Sequence, residues 1–169
     1  RLDDLASQAA TAGMPAAALT DLTNVFGAVK FYQAAIKAGI KPVIGVDLWI
    51  ENGADRNKPF RAVLLCMNRE GYRNLNRLVT RAYEEGQHAG RACIAPAWLA
   101  GATNGLIMLS GATEGDIGQA LLAGHHDQAE RLAQGYAKLF PGRFYLELQR
   151  TGQPHQEAYI AGAVALAGR

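Results

Sequence analysis

Cysteine is scarce in this chain of 169 residues: Cys66 and Cys93 stand far apart, with no CxxC spacing. That excludes a disulfide-stapled scaffold and a cysteine-rich zinc module. Cys66 lies in the apolar run FRAVLLC and reads as a buried free thiol, in keeping with a cytoplasmic location. Histidine is sparse too. His88, His125, His126 and His155 do not follow strands, and none has ligand spacing with a carboxylate. No apolar run is long enough to cross a membrane, so no membrane partner is expected. The opening residues carry no signal-peptide pattern. Neither charge dominates: a formal net charge of +2 is too small for a nucleic-acid footprint on the segment as a whole. GxGxxG and GxxxxGK[ST] are missing, and no Ser-His-Asp set is arguable.

What is present suits a globular α/β domain. The chain is 49% hydrophobic and 19% charged, enough to bury a core. Arg1 to Gly13 reads as a helix with Leu2, Leu5, Ala6 and Ala9 on one face. Met14 to Leu19 reads as a buried strand ending in Thr20-Asp21. Thr23 or Asn24 can cap the next helix, in which Val25, Val29, Tyr32 and Ile36 recur at helical spacing until Gly39. Strands are expected at Pro42 to Ile50, Phe60 to Met67, Gly105 to Ser110 and Phe144 to Leu148. Helices are expected at Gly71 to Glu85, Asp116 to Ala123, His126 to Phe140 and Gln153 to Leu166, with a short turn at Ala97 to Ala100. Glu51 to Pro59 reads as a polar loop and Gln87 to Pro96 as a looser stretch. Alternation of this kind implies a parallel sheet with right-handed crossovers, either open or part of a barrel.

In α/β folds, working groups gather where strands end and helices begin. Asp21 stands at such a place as a metal ligand, a general base or a helix-capping carboxylate. The lack of nearby histidines favours capping. Asp47 interrupts an apolar strand, so it either enters a polar cavity or alternates out to water. Ser110-Gly111, with Gly115 close behind, can present backbone N–H groups to a phosphate or make a tight connection. His125-His126 reads as a solvated turn. Arg73, Arg77 and Arg81 form a basic stripe opposite the apolar side of their helix. It is either a solvated face or a contact surface for a nucleic-acid backbone or an acidic partner.

Four segments carry a resemblance. They are MPAAALTDLTNVFGAVKFYQAAIKAGIKPVIGVDLWI (Met14 to Ile50), NREGYRNLNRLVTRAY (Asn68 to Tyr83), GLIMLSGATEGDIGQALLAG (Gly105 to Gly124) and FYLELQRTGQPHQE (Phe144 to Glu157). In order and spacing they resemble the PHP (polymerase and histidinol phosphatase) domain of the alpha subunit of bacterial DNA polymerase III, in the form with a separate proofreading subunit. The resemblance implies a distorted (β/α)7 barrel, here a single-domain segment lacking the first and last strands. Active PHP domains hold a cluster of metal ions. The resemblance puts the ligand positions inside this chain at Leu22 (usually His, after Thr-Asp), Asp47 (usually Glu), Arg61 (usually His) and Ala112 (usually Cys, after Ser-Gly). Only Asp47 keeps a ligating group. Leu22 and Ala112 offer no donor, and Arg61 brings a fixed positive charge.

The expectation is therefore a non-catalytic scaffold without metal or cofactor of its own, with Arg61 pairing with Asp47 or Asp21 in the vacated place. Its implied setting is a DNA-directed DNA polymerase whose Mg2+ site lies outside this chain. Its implied partners are the rest of the alpha subunit, the proofreading exonuclease subunit, and DNA through the parent protein. The rival expectations are an active metal-dependent PHP phosphoesterase or exonuclease, and an unrelated small-molecule enzyme of α/β type.

Overall fold

Helix α1 (Leu2–Thr11) leads through Gly13 into strand β1 (Ala16–Leu22), followed by α2 (Ala28–Lys37) and the long strand β2 (Lys41–Ile50). Strand β3 (Phe60–Cys66) then precedes the longest helix, α3 (Arg69–Glu85). A small hairpin of β4 (Gln87–His88) and β5 (Arg91–Ile94) is followed by α4 (Pro96–Leu99) and β6 (Leu106–Leu109). A 3-10 turn at Ala112–Glu114, α5 (Asp116–Leu122), α6 (His126–Leu139), β7 (Phe144–Tyr145) and α7 (Gln156–Ala167) complete the order. This computed structural model describes residues 1–169.

Seven strands form one mixed sheet, so the α/β class holds but the all-parallel reading does not. β1 runs parallel to the first part of β2, from Ala16 opposite Lys41 to Leu22 opposite Asp47. β5 takes over the same edge further on, pairing Cys93 with Trp49 and Ile94 with Ile50. β3 is antiparallel to β2 and to β6, and β7 runs parallel to β6. The loop from Glu51 to Pro59 explains the reversal of β3. A parallel return needs a crossover of about a dozen residues or more, usually helical, whereas this loop is short and polar and closes a hairpin. The stretch around Arg91–Ile94, read from the sequence as loose, is a strand because β2 extends beyond β1 and leaves an edge to pair.

Strand alternation divides the sheet into two faces. Val46, Leu48 and Ile50, with Ala62, Leu64, Leu106 and Met108, face the outer helices. There they join Leu75, Leu78, Val79 and Ala82 of α3, Ile117 and Leu121 of α5, and Phe140 and Tyr159 in the main core. Full burial of each large aliphatic contributes about 1.5–3 kcal/mol. Asp47, Trp49, Arg61, Val63, Leu65, Ile107 and Leu109 alternate with these, and are only partly buried.

A smaller core holds α1 and α2 on β1 and corrects the reading of α2. Ala28, Phe31, Ala34 and Ala35 are buried, the last three against Ala6, Ala9 and Ile40, whereas Val29, Tyr32 and Ile36 are exposed. The alanine face lets the helix approach closely, and only Phe31 fills volume. Neither Thr23 nor Asn24 caps α2. Asn24 Oδ1 accepts from the Phe26 N–H within the preceding turn, and the N-cap position is Gly27. α3 begins earlier than its apolar pattern, at Arg69, because the Asn68 side chain accepts from the Gly71 N–H. Gly71 has room for nothing larger: an added Cβ would lie 1.8 Å from the Gly105 carbonyl oxygen.

Candidate functional site

Leu22 ends β1 and lies opposite Asp47 of β2. Arg61 stands near the start of the reversed strand β3, opposite Trp49. Ala112 follows the end of β6 through Ser110 and Gly111. All four positions thus lie toward one end of the sheet. The approach of β6 to β3 is close there: a Cβ on Gly111, whose φ is +73°, would sit 2.2 Å from the Arg61 carbonyl oxygen. Leu22 is exposed, Asp47 and Arg61 are mostly covered, and Ala112 is buried.

The Arg61 guanidinium lies on the Asp47 carboxylate. Its Nε donates to Oδ1 at 2.8 Å and its Nη2 donates to Oδ2. Both carboxylate oxygens are therefore engaged in the two-pronged geometry that guanidinium favours. The hydrogen bonds to Asp47 push the Arg61 pKa above its ordinary value. Burial opposes that rise, and the negative charges of Asp47, Glu114 and Glu147 reinforce it. The same guanidinium stacks on Trp49, with Cζ 4.6 Å from the ring centroid, and Arg91 approaches that ring at 5.3 Å. Arg91 also donates to the Asn57 carbonyl at 3.2 Å, tying the loop between β2 and β3 to this end of the sheet.

Thr23, next to Leu22, and Ala112 itself hold unusual backbone. Thr23 has φ +54° and Ala112 φ +48°, both in the left-handed region that suits glycine. Thr23 is buried, its N–H donates to the Asp47 carbonyl at 2.7 Å, and its hydroxyl has no partner. Such strain persists only where the surroundings over-determine it.

The other candidates fall into place individually. Asp21 Oδ2 accepts from the Gly27 N–H at 2.9 Å, so this carboxylate holds the turn before α2. Ser110 makes a tight connection: its hydroxyl accepts from the Glu147 N–H at 3.0 Å and lies 3.4 Å from the Tyr159 hydroxyl. Tyr159 donates in turn to the Glu147 carbonyl at 2.7 Å. His125 and His126 are exposed. The arginine stripe is not uniform. Arg81 bonds Glu85 at 3.0 Å and stacks on Trp98 at 4.2 Å, Arg77 reaches Asn74 at 3.4 Å, and Arg73 is exposed without an ion pair.

Sequence reasoning missed Trp49, Arg91, Glu114 and Glu147 as members of the cluster. Trp49 was accessible, since it stands two residues from Asp47 and must share its strand face. Arg91 was not, because its strand was not recognised. Glu147 lies within a quoted motif, but only the fold shows that the stretch after β7 passes Arg61.

The family model for the PHP domain matches residues 1–151. The chain belongs to the PHP domain family. This PHP domain is 49% identical over 157 residues to the DNA polymerase III subunit alpha of Pseudomonas fluorescens, covering 93% of the chain and 13% of that protein. It is 46% identical to the Pseudomonas aeruginosa subunit over the whole chain and 14% of the relative. The Escherichia coli K12 subunit is 42% identical over 96% of the chain and 14% of the relative. The chain thus spans about one seventh of the length of these relatives.

A metal cluster of the kind active PHP domains carry needs several imidazoles and carboxylates to offset its charge. The residues present do not fit one. Leu22 and Ala112 have no donor atoms, Arg61 is a cation, and both Asp47 oxygens already accept from it. No three His, Cys, Asp or Glu side chains in the chain are grouped for a metal ion. What the arrangement does chemically is satisfy a carboxylate with a guanidinium.

Proposed function

We propose that this PHP domain is a non-catalytic part of the alpha subunit of a replicative DNA-directed DNA polymerase. In that role it buttresses the polymerase core and offers a docking surface for a proofreading exonuclease subunit. Its sheet is read as an incomplete segment of a distorted (β/α)7 barrel. The polymerase's own Mg2+ site and its hold on DNA lie in other parts of the protein.

The observation that carries the non-catalytic reading is the Arg61–Asp47 pair. Hydrolysis of a phosphoester at neutral pH needs an activated water, and in a PHP site the metal supplies it. Here the one carboxylate among the four positions is neutralised by a fixed cation instead. The surrounding acids, Glu114 and Glu147, act on Arg61 through their charge. The likeness to alpha subunits over nearly the whole chain supports the polymerase setting.

The test is made on purified protein. Elemental analysis should find no stoichiometric zinc, manganese or iron. Phosphate release from phosphoesters and single-stranded DNA should stay at background with magnesium, manganese or zinc. Turnover that follows the protein through purification and vanishes in Asp47→Asn would establish a working hydrolytic site and refute the proposal. Failure of the exonuclease subunit of the same source to bind, in surface plasmon resonance with the full alpha subunit, would refute the docking role separately.

A further inference from the structure

Away from the Arg61 site, α2 leaves its larger apolar residues in water. Phe26, just before the helix, is 86% exposed, and Val29, Tyr32 and Ile36 are each more than half exposed. Tyr32 also borders a groove of about 690 Å3 that runs past the start of β2 and the end of β3 to the first turn of α3. Pro42, Ile44, Leu65, Met67 and Tyr72 line it, and Met67 and Tyr72 are themselves exposed. The groove and the stripe meet at Tyr32 and form one apolar surface. Contiguous exposed apolar patches with a polar rim mark interaction sites.

The charged residues that line the groove are Lys41 and Arg69. Neither is in an ion pair. Neither α2 nor the groove lining contains an Asp or Glu. Complementary charge at a rim steers association and rejects wrong partners, while aromatic anchors at the centre supply most of the affinity.

We infer that the groove and the exposed face of α2 form a docking site for a protein segment with apolar anchors flanked by acidic residues. An amphipathic helix suits it, with anchors at the spacing by which helices read hydrophobic grooves. Single-stranded nucleic acid fits less well, because only two cations, Lys41 and Arg69, line the groove. A lipid surface fits less well, because part of the apolar area is concave. The inference rests on the docking role proposed above and gives that role a location.

The probes are two synthetic helical peptides of about 15 residues with Leu and Phe anchors at i, i+3, i+4 and i+7. One carries Glu at the remaining positions and the other Lys. Fluorescence anisotropy with this chain, and with the longer polypeptide that its relatives imply, should show the acidic peptide bound at least tenfold tighter. The preference should shrink as salt rises. Ile36→Glu and Tyr32→Ala should each weaken binding about tenfold with an unchanged circular dichroism spectrum, since both side chains are exposed. Absence of binding, equal binding of the lysine peptide, or indifference to both substitutions overturns the inference. So does binding by the short chain alone, which would make the patch an intramolecular seam. Preferential capture of oligothymidylate or anionic vesicles, or a dimer in solution that Ile36→Glu dissociates, overturns it as well. Exonuclease binding that persists undiminished in Ile36→Glu removes this location and leaves the docking role standing.

Discussion

Removing one partner of the Arg61–Asp47 pair should destabilise the domain far more than removing both. The Arg61 side chain is 19% exposed and that of Asp47 23%. An ion pair in open water is worth about 0–1 kcal/mol. Stripping one partner from a fully buried pair costs about 3–5 kcal/mol, because the other charge is stranded. The coverage here puts Arg61→Met between these limits, at about 2–3 kcal/mol. Asp47→Leu should cost less, because Arg61 still feels the charges of Glu114 and Glu147. The double substitution Arg61→Met, Asp47→Leu should lie within about 1 kcal/mol of the unmodified protein, since replacing a covered ion pair by apolar groups is often neutral. Urea unfolding with a constant m-value measures all four species and closes a double-mutant cycle. A coupling of about 2 kcal/mol is expected. Single effects that merely add in the double variant would refute the reasoning and make the pair a bystander.

Three further outcomes rest on the packing and the thiol. Gly71→Ala should cost more than about 3 kcal/mol, because its Cβ would meet backbone at 1.8 Å; Gly135→Ala, in α6 with open space around it, should stabilise by about 0.5–1 kcal/mol in the same urea assay. Burial raises the Cys66 pKa from 9.0 to about 11. Above pH 9 the unfolded thiol ionises first, the folded state holds more protons, and stability falls as pH climbs toward 11. Cys66→Ala should reduce that slope, measured as the urea midpoint against pH, and leave the profile below pH 9 unchanged in shape.

Much of the order of elements is legible from residue patterns alone. β2 and β3 read clearly because both are largely apolar along their length, as VIGVDLWI and AVLLC, and α3 because Leu75, Leu78 and Val79 fall on one side. α2 misleads for a physical reason: periodicity weighs side chains by size, whereas the sheet accepts the alanine face because it allows closer approach. The direction of β3 is set by the length of the loop before it, a signal that strand propensity does not contain. β5 is too short to show alternation and exists because β2 offers it an edge. At the candidate site the juxtaposition of Asp47 and Arg61 is foreshadowed by the resemblance and by the need of a covered carboxylate for a partner. Arg91, Glu114, Glu147 and the left-handed backbone of Thr23 and Ala112 depend on how separate segments meet, and no local pattern announces them.

The alternation along β2 separates two kinds of selection. Val46, Leu48 and Ile50 answer to the packing of the outer helices, and Gly45, Asp47 and Trp49 answer to whatever occupies the other side. A substitution on one side therefore leaves the other nearly undisturbed, while an inserted or deleted residue exchanges the two sets at once. The strand is therefore fixed in length but not in the chemistry of its inner face. The charge at Asp47 can be exchanged without disturbing the packing of the outer helices, provided that Arg61 changes with it.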